Sequence, residues 1–194
     1  MKHIGRKVYH LIGGVGLLSV YYVLGRERAL MLYAALFVFV LILDGARLMI
    51  PAMNRFMFTR FRSFIRPNEE HKLTGTAPYV LGIGFSLYAY AQPVATAAIC
   101  FLAFGDVAAT AIGERFGKTK IRDKSLEGTS AFIVAAALSG ILLSLMGVHL
   151  PAWVMVIGVL VAAGVELLTL PVNDNLVIPL VSGGIMELAV RIAG

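Results

Sequence analysis

Apolar residues run along this chain in seven long blocks, separated by short polar, glycine- or proline-bearing connections. A helix rises 1.5 Å per residue, so about 20 residues cross the hydrocarbon layer of a bilayer. On that measure the pattern predicts spans near 8–25, 29–49, 76–92, 93–113, 129–147, 151–170 and 175–192. Between the second and third spans the pattern changes. From Pro51 to Pro67, Met53, Phe56, Met57, Phe61, Phe64 and Ile65 fall on one helical face, with Arg55, Arg62 and Arg66 on the other. That spacing predicts an amphipathic helix lying in the interface, its arginines in contact with anionic lipid headgroups. Proline at each end bounds it.

Composition agrees. Hydrophobic residues make up 59% of the chain and charged residues 14%, with a mean hydropathy of +0.84. A soluble domain of 194 residues has more polar surface to cover than that. The expected fold is all-α: a polytopic membrane bundle of about seven transmembrane helices plus one interfacial helix. The length fits one compact catalytic domain over 1–194. The single cysteine, Cys100, excludes an internal disulfide or a cysteine metal cluster. The basic start MKHIGRKVYHLIGGVG has no small-residue cleavage site after it, so the first block is read as a retained helix.

Charge then orients the bundle. The net charge of +6 gathers in a few connections, which suits anionic headgroups or nucleotides and argues against duplex nucleic acid. Lys2, Arg6 and Lys7 precede the first span. Arg55, Arg60, Arg62, Arg66 and Lys72 lie between the second and third, and Arg115, Lys118, Lys120, Arg122 and Lys124 between the fourth and fifth. The opposite connections carry only Arg26 and Arg28. The positive-inside rule therefore places the amino terminus in the cytoplasm and the carboxyl terminus outside.

The chemistry concentrates in GDVAATAIGERFGKTKIRDKSLEGT, residues 105–129. A carboxylate inside an apolar run costs free energy unless something offsets it, and so marks a functional site by default. Here Asp106 is followed by the cationic connection at 113–128, which closes with Ser125, Gly128 and Thr129. Carboxylate oxygen suits a metal, and ammonium and hydroxyl groups suit phosphate. The stretch therefore reads as a phosphate-handling loop at the membrane surface. His10, Asp44 with Arg47, Glu166 and Asp174 all fall at the same membrane depth. Asp174, flanked by Asn173 and Asn175, and Asp106 next to Gly105 are the strongest functional candidates, because their neighbours let backbone or ligand approach closely. Asp44–Arg47 reads equally as a helix-end ion pair, His10 as a headgroup contact, and Glu166 as a packed acid. Glu187, toward the opposite end, has Arg191 four residues on as a partner. GERFGKT (113–119) fails as a P-loop, being one residue short between its glycines and following a membrane helix. GGVG (13–16) and GIG (82–84) read as helix-packing surfaces.

Taken in order, several blocks resemble the CTP-dependent lipid-alcohol kinases, the dolichol, phytol and CTP-dependent diacylglycerol kinases. They are Arg6-Lys7 with His10, GluGlu (69–70) with Thr74-Gly75, GDVAATAIGERFG (105–117), KSLEGTSAF (124–132) and ELLTLPVNDNLVIPLVSG (166–183). The resemblance implies CTP as phosphoryl donor, a divalent cation such as Mg²⁺, and a membrane-embedded alcohol as acceptor: a polyprenol, a phytol-like isoprenoid or diacylglycerol. The short chain looks like the bare catalytic bundle of such an enzyme, as in a prokaryotic member.

On this reading Asp106 and Asp174 hold the metal, with Glu166 as a further ligand. Lys118, Lys120 and Lys124, with Arg6 and Lys7, neutralise phosphate. Ser125, Gly128 and Thr129 donate hydrogen bonds at a helix start. Asn173 and Asn175 read the cytosine edge or ligate the metal, and His10 or an aspartate accepts the acceptor's proton. A cytidylyltransferase acting on a lipid phosphate is the alternative, with the same metal and lysines. A small transporter is a more distant one, because its ionisable groups would be spread through the membrane depth.

Overall fold

The computed structural model describes residues 4–61, 69–168 and 172–193, with side chains from Val8 onward at the amino-terminal end. Among the described residues the chain forms eight helices and one small hairpin. The helices are α1 (Ile4–Leu24), α2 (Arg26–Met49), α3 (Pro51–Arg60), α4 (Thr76–Ala89), α5 (Gln92–Phe116), α6 (Leu126–Leu145), α7 (Ala152–Leu168) and α8 (Asp174–Ala193). Strands β1 (Lys120–Ile121) and β2 (Lys124–Ser125) pair antiparallel between α5 and α6. This is an all-α membrane bundle. Val23, Met31, Leu138, Leu145 and Ile192 are each more than 60% exposed. Apolar surface of that extent, on helices of this length, faces lipid.

Four helices are long and apolar enough to cross a bilayer: α2, α5, α6 and α8. Val8–Leu24 of α1 and α7 are apolar but shorter. The block at 76–92 shortens further, to the 14 residues of α4. At 1.5 Å per residue that is about 21 Å, less than the hydrocarbon thickness. It packs inside the bundle against α2, α5 and α8 instead.

At the centre stands α5, touching α1, α4, α6, α7 and α8. Its first half is a row of small residues, including Ala95, Ala97, Ala98 and Ala103, all essentially inaccessible. Small side chains let helices approach closely where lipid removes the hydrophobic drive for association. At Gly105 a side chain would meet the Phe132 ring of α6 at 2.6 Å. The α1–α2 connection is the single residue Gly25, whose φ of +78° is a backbone region that favours glycine.

Three expected boundaries move. The interfacial helix expected at 51–67 is described as α3 to Arg60 only, and Arg62, Arg66 and Pro67 lie outside the described residues. On α3, Phe56 is exposed, while Phe58 lies under the Arg47 guanidinium, 5.7 Å from ring centroid to carbon. The connection read as a loop over 113–128 is largely ordered. Residues 113–116 extend α5, and α6 begins at Leu126 because Ser125 caps it, its Oγ accepting the Gly128 N–H at 3.1 Å.

The two glycines of GIG behave differently. A Cβ at Gly82 would lie 2.6 Å from the Asn175 carbonyl oxygen of α8, whereas at Gly84 the nearest atom is Tyr33 Cβ at 3.4 Å. Gly82→Ala is expected to cost about 1–3 kcal/mol through backbone displacement. Gly84→Ala is expected to be neutral or stabilising by up to about 1 kcal/mol through helix propensity. Thermal unfolding in one detergent, comparing the two variants, checks the difference.

Candidate active site

The alternation of the helices brings the amino-terminal ends of α4, α6 and α8 to the same end of the bundle as the carboxyl-terminal ends of α5 and α7. Contacts between these elements define the site. Lys124, on β2, reaches Glu166 of α7 at 2.7 Å and Asp174 of α8 at 3.0 Å. The other Glu166 oxygen accepts the Thr129 hydroxyl of α6 at 3.1 Å. Glu166 is 3% exposed, so both its oxygens are met by protein groups, as a buried carboxylate requires. Asp174 opens α8, where a negative charge complements the helix dipole. Burial pulls the Lys124 ammonium toward deprotonation. Asp174, then Glu166 and more distantly Asp106, push it the other way and win, so its pKa lies above the usual 10.5.

The hairpin is shaped to deliver that lysine. Arg122, at its turn, has φ +54°, an uncommon backbone for a non-glycine residue. Its guanidinium donates to the Leu168 carbonyl at the end of α7, at 3.3 Å, where a cation also suits the helix dipole. Glu127 accepts the Thr119 N–H at 3.1 and 3.2 Å, tying the hairpin's entry to the first turn of α6.

Asp106 is half-buried on α5 and acts electrostatically on Lys124, His10 and Tyr79. Among the described residues its carboxylate makes no hydrogen bond. His10 is buried on α1; the Tyr79 hydroxyl donates to its carbonyl, and the two rings lie 4.6 Å apart. A second network borders this one. Arg47, fully buried, donates to Asp44 at 2.7 Å, to Asn54 and the Glu69 carbonyl at 3.1 Å each, and to the Lys72 carbonyl. Asp44 in turn accepts the Thr74 N–H at 2.7 Å and the Thr74 hydroxyl at 2.9 Å. The Glu69 carboxylate accepts the Gly75 N–H at 3.1 Å, and the Gly75 carbonyl accepts the Asn175 amide at 3.2 Å. Gly75 is thus the shared wall of the two networks.

Not every candidate from the sequence gathers at Lys124. Lys118 and Lys120 are exposed and, among the described residues, make no ion pair. Arg55 is exposed on α3, and the side chains of Arg6 and Lys7 lie outside the description. Ser125, Gly128 and Thr129 surround the start of α6, but the first two bond to each other and Thr129 turns to Glu166. Asn173 accepts the Asn175 N–H at 3.0 Å and so caps α8, while the buried Asn175 side chain holds Gly75. Tyr79 and the Glu69–Thr74 pair were assigned no role from sequence. Polar groups bounding an apolar block on the cationic side were the available signal for them.

Over 137 residues, 67% of this chain and 47% of the relative, the chain is 31% identical to CTP-dependent diacylglycerol kinase 1 of Saccharomyces cerevisiae. Over 144 residues, 71% of this chain and 45% of the relative, it is 33% identical to the protein of the same name from Eremothecium gossypii. The chain is a relative of the CTP-dependent lipid kinases. It spans about half the length of these two relatives. No family model and no solved structure matches it. Four of the five blocks by which the sequence resembles this kinase family meet here: the 69–75 connection, the second half of α5, the β2–α6 junction, and the end of α7 with the start of α8; of the fifth, His10 lies on α1 and the side chains of Arg6 and Lys7 are outside the described residues.

Three carboxylates, Asp106, Glu166 and Asp174, share one nearby ammonium, which leaves two negative charges uncompensated if all are ionised. Among the described residues no cluster of three or more acids, histidines or cysteines has converged as a metal cage. Mg²⁺ needs no such cage, since it binds through one or two carboxylates with phosphates and water completing its shell. The unbonded Asp106 and the rim-located Asp174 fit that role. Glu166 is committed to Lys124 and Thr129.

Lys124→Met strips a buried carboxylate of its cation, and is expected to destabilise the protein by about 2–4 kcal/mol. Lys120→Met is expected to stay within about 0.5 kcal/mol of wild type. Because the folded pKa of Lys124 is raised, its contribution is full below 10.5 and fades only as pH climbs past the raised value. Melting curves of both variants from neutral to strongly alkaline pH check the size and the sign.

Proposed function

We propose that this chain is a membrane-embedded kinase that transfers the γ-phosphoryl group of CTP to the hydroxyl of a lipid alcohol. The activity for which the relatives are named points to CTP and to diacylglycerol as one acceptor; a polyprenol or a phytol-like alcohol suits an apolar bundle equally well. The observation that carries the reading is the single lysine set between two carboxylates, with a third, Asp106, unbonded and acting on it electrostatically from farther off. Phosphoryl transfer asks the protein chiefly for positioning and charge neutralisation, and this donor set supplies both.

In this reading Asp106 and Asp174 hold a divalent cation, Mg²⁺ in the first instance, which when bound neutralises the triphosphate and orients it. Lys124 sits where phosphate oxygens compete with Glu166 and Asp174 for its protons. Glu166 and Thr129 keep that ammonium in place. Lys118 and Lys120, exposed at the hairpin, meet the outer phosphates as they arrive, and the N–H groups opening α6 and α8 add positive potential. The acceptor oxygen bonds to the γ-phosphorus as the bond to the β-phosphate oxygen breaks. CDP leaves, and the hydroxyl proton passes to His10 or an aspartate. The site faces the cytosolic leaflet, with the amino terminus inside and the carboxyl terminus outside, following the loop charges. Arg55, Arg62 and Arg66 contact anionic lipid headgroups.

Purified protein given CTP labelled at either the α- or γ-phosphorus, with a panel of diacylglycerol, polyprenol and phytol-like acceptors, tests this. Label from the γ position alone should appear on the lipid; label from the α position would mean nucleotidyl transfer instead. Asp106→Asn and Asp174→Asn should each lower turnover by at least about a hundredfold while the protein remains folded. Normal turnover in either variant would remove that residue from the site.

A further inference from the structure

Asp174 and Asn175 are neighbours in the first turn of α8, and their side chains serve different partners. Asp174 meets Lys124 at 3.0 Å and keeps 20% of its side chain exposed. Asn175 is 3% exposed, and its amide donates to the Gly75 carbonyl just ahead of α4, at 3.2 Å. The backbone of Asn175 is held as firmly. Its N–H donates to the Asn173 side chain at 3.0 Å. Its carbonyl would ordinarily accept from the residue four further on, but that residue is Pro179, which has no N–H. Gly82 of α4 closes over this carbonyl instead, so tightly that an added methyl group would lie 2.6 Å from the oxygen. The start of α8 is thus registered against α4 at two points, about two helical turns apart.

Gly75 is itself anchored. Its N–H donates to the Glu69 carboxylate at 3.1 Å. Thr74, next to it, donates twice to Asp44, which the wholly buried Arg47 holds at 2.7 Å. A chain of bonds therefore runs from Arg47 of α2 through Gly75 to Asn175, and ends one residue from Asp174. A carboxylate that binds Mg²⁺ must satisfy near-ideal octahedral geometry at about 2.0–2.1 Å, so a small rotation of the turn bearing it is felt. Groups that orient a metal-binding side chain without touching the metal govern affinity by about 10–100-fold.

We propose that Asn175 is a positioning residue for Asp174: its bond to Gly75 sets the turn of α8 that presents the Asp174 carboxylate to the divalent cation on CTP. This rests on the kinase reading above and deepens it, because it gives a buried amide a role exerted wholly through its neighbour.

Calorimetric titration of CTP into the full chain in detergent, with Mg²⁺ and separately with EDTA, yields affinity and stoichiometry independently. Asn175→Leu keeps about the same size and removes the donor. It should weaken CTP binding about tenfold in Mg²⁺ and less than about twofold in EDTA, with stoichiometry unchanged. Asp174→Asn should lose at least about tenfold in Mg²⁺, and adding Asn175→Leu to it should cost less than about twofold more, because residues acting through one group are not additive. Four results overturn the proposal: wild-type affinity in Asn175→Leu, an equal loss in EDTA, additive losses in the double variant, or lowered stoichiometry at unchanged affinity. The second would mean that Asn175 contacts the nucleotide itself, and the last that its role is merely structural. Asn175→Ser serves if the leucine variant does not fold. Wild-type binding in Asp174→Asn would remove that residue from the cation site and the proposal with it. The expected binding pattern without any transfer of γ-label to lipid would leave the positioning role standing and remove the kinase reading. Transfer by a wild-type protein whose Asn175→Leu variant binds CTP normally would do the reverse.

Discussion

An ammonium group shared by two carboxylates at the end of an apolar bundle is the constraint on which the site end of this protein depends. Glu166 lies deep enough that its charge needs a partner, and Lys124 is that partner. To reach it, the chain between α5 and α6 must fold back over the ends of α7 and α8. The hairpin, the left-handed backbone at Arg122, the bond from Arg122 to Leu168 and the Ser125 cap all serve that return. With Asp174 on the same ammonium, three elements distant in sequence are tied at a single nitrogen.

Beside this stands a network of the opposite character. Arg47 and Asp44 spend their hydrogen bonds on each other and on the 69–76 connection. A buried ion pair of this kind adds little net stability over apolar packing, but breaking it is costly, so its main effect is to hold one arrangement of the backbone. That arrangement sets Gly75, held by the Glu69 carboxylate, against the Asn175 amide next to Asp174. Where the polar groups of one network are consumed internally, Asp106 in the other makes no hydrogen bond among the described residues. Fully bonded groups maintain geometry; a half-buried carboxylate without a hydrogen bond is available to a ligand. The likeness in sequence to CTP-dependent diacylglycerol kinases and this division of polar groups lead independently toward phosphate chemistry.

Much of this was legible in the linear sequence. Hydropathy is a local sum over consecutive residues, so blocks of apolar residues declared a membrane bundle. The grouping of Asp106, Glu166, Asp174 and the cationic connection toward one end followed from counting spans. Local rules also disposed of GERFGKT as a phosphate loop and paired Glu187 with Arg191, which bond at 3.1 Å. Element ends were less accessible. The start of α6 at Leu126 turns on one side-chain bond from Ser125, and the brevity of α4 on packing that hydropathy does not register.

The tertiary structure alone decided which groups meet. Five cations lie between the fourth and fifth apolar blocks, and nothing in their spacing singles out Lys124 over Lys118 or Lys120. The selection comes from a hairpin register that pairs Ile121 with Lys124 and turns that lysine toward α7 and α8. Likewise Thr129 belongs to Glu166, and Asn175 to Gly75, because helix rotation and close approach bring them together, as at Gly82, where α4 and α8 leave no room for a methyl group. Sequence determines the lipid-facing bundle because burial energy adds residue by residue. Pairing between helices depends on distance and orientation in three dimensions, which exist only once the bundle has packed.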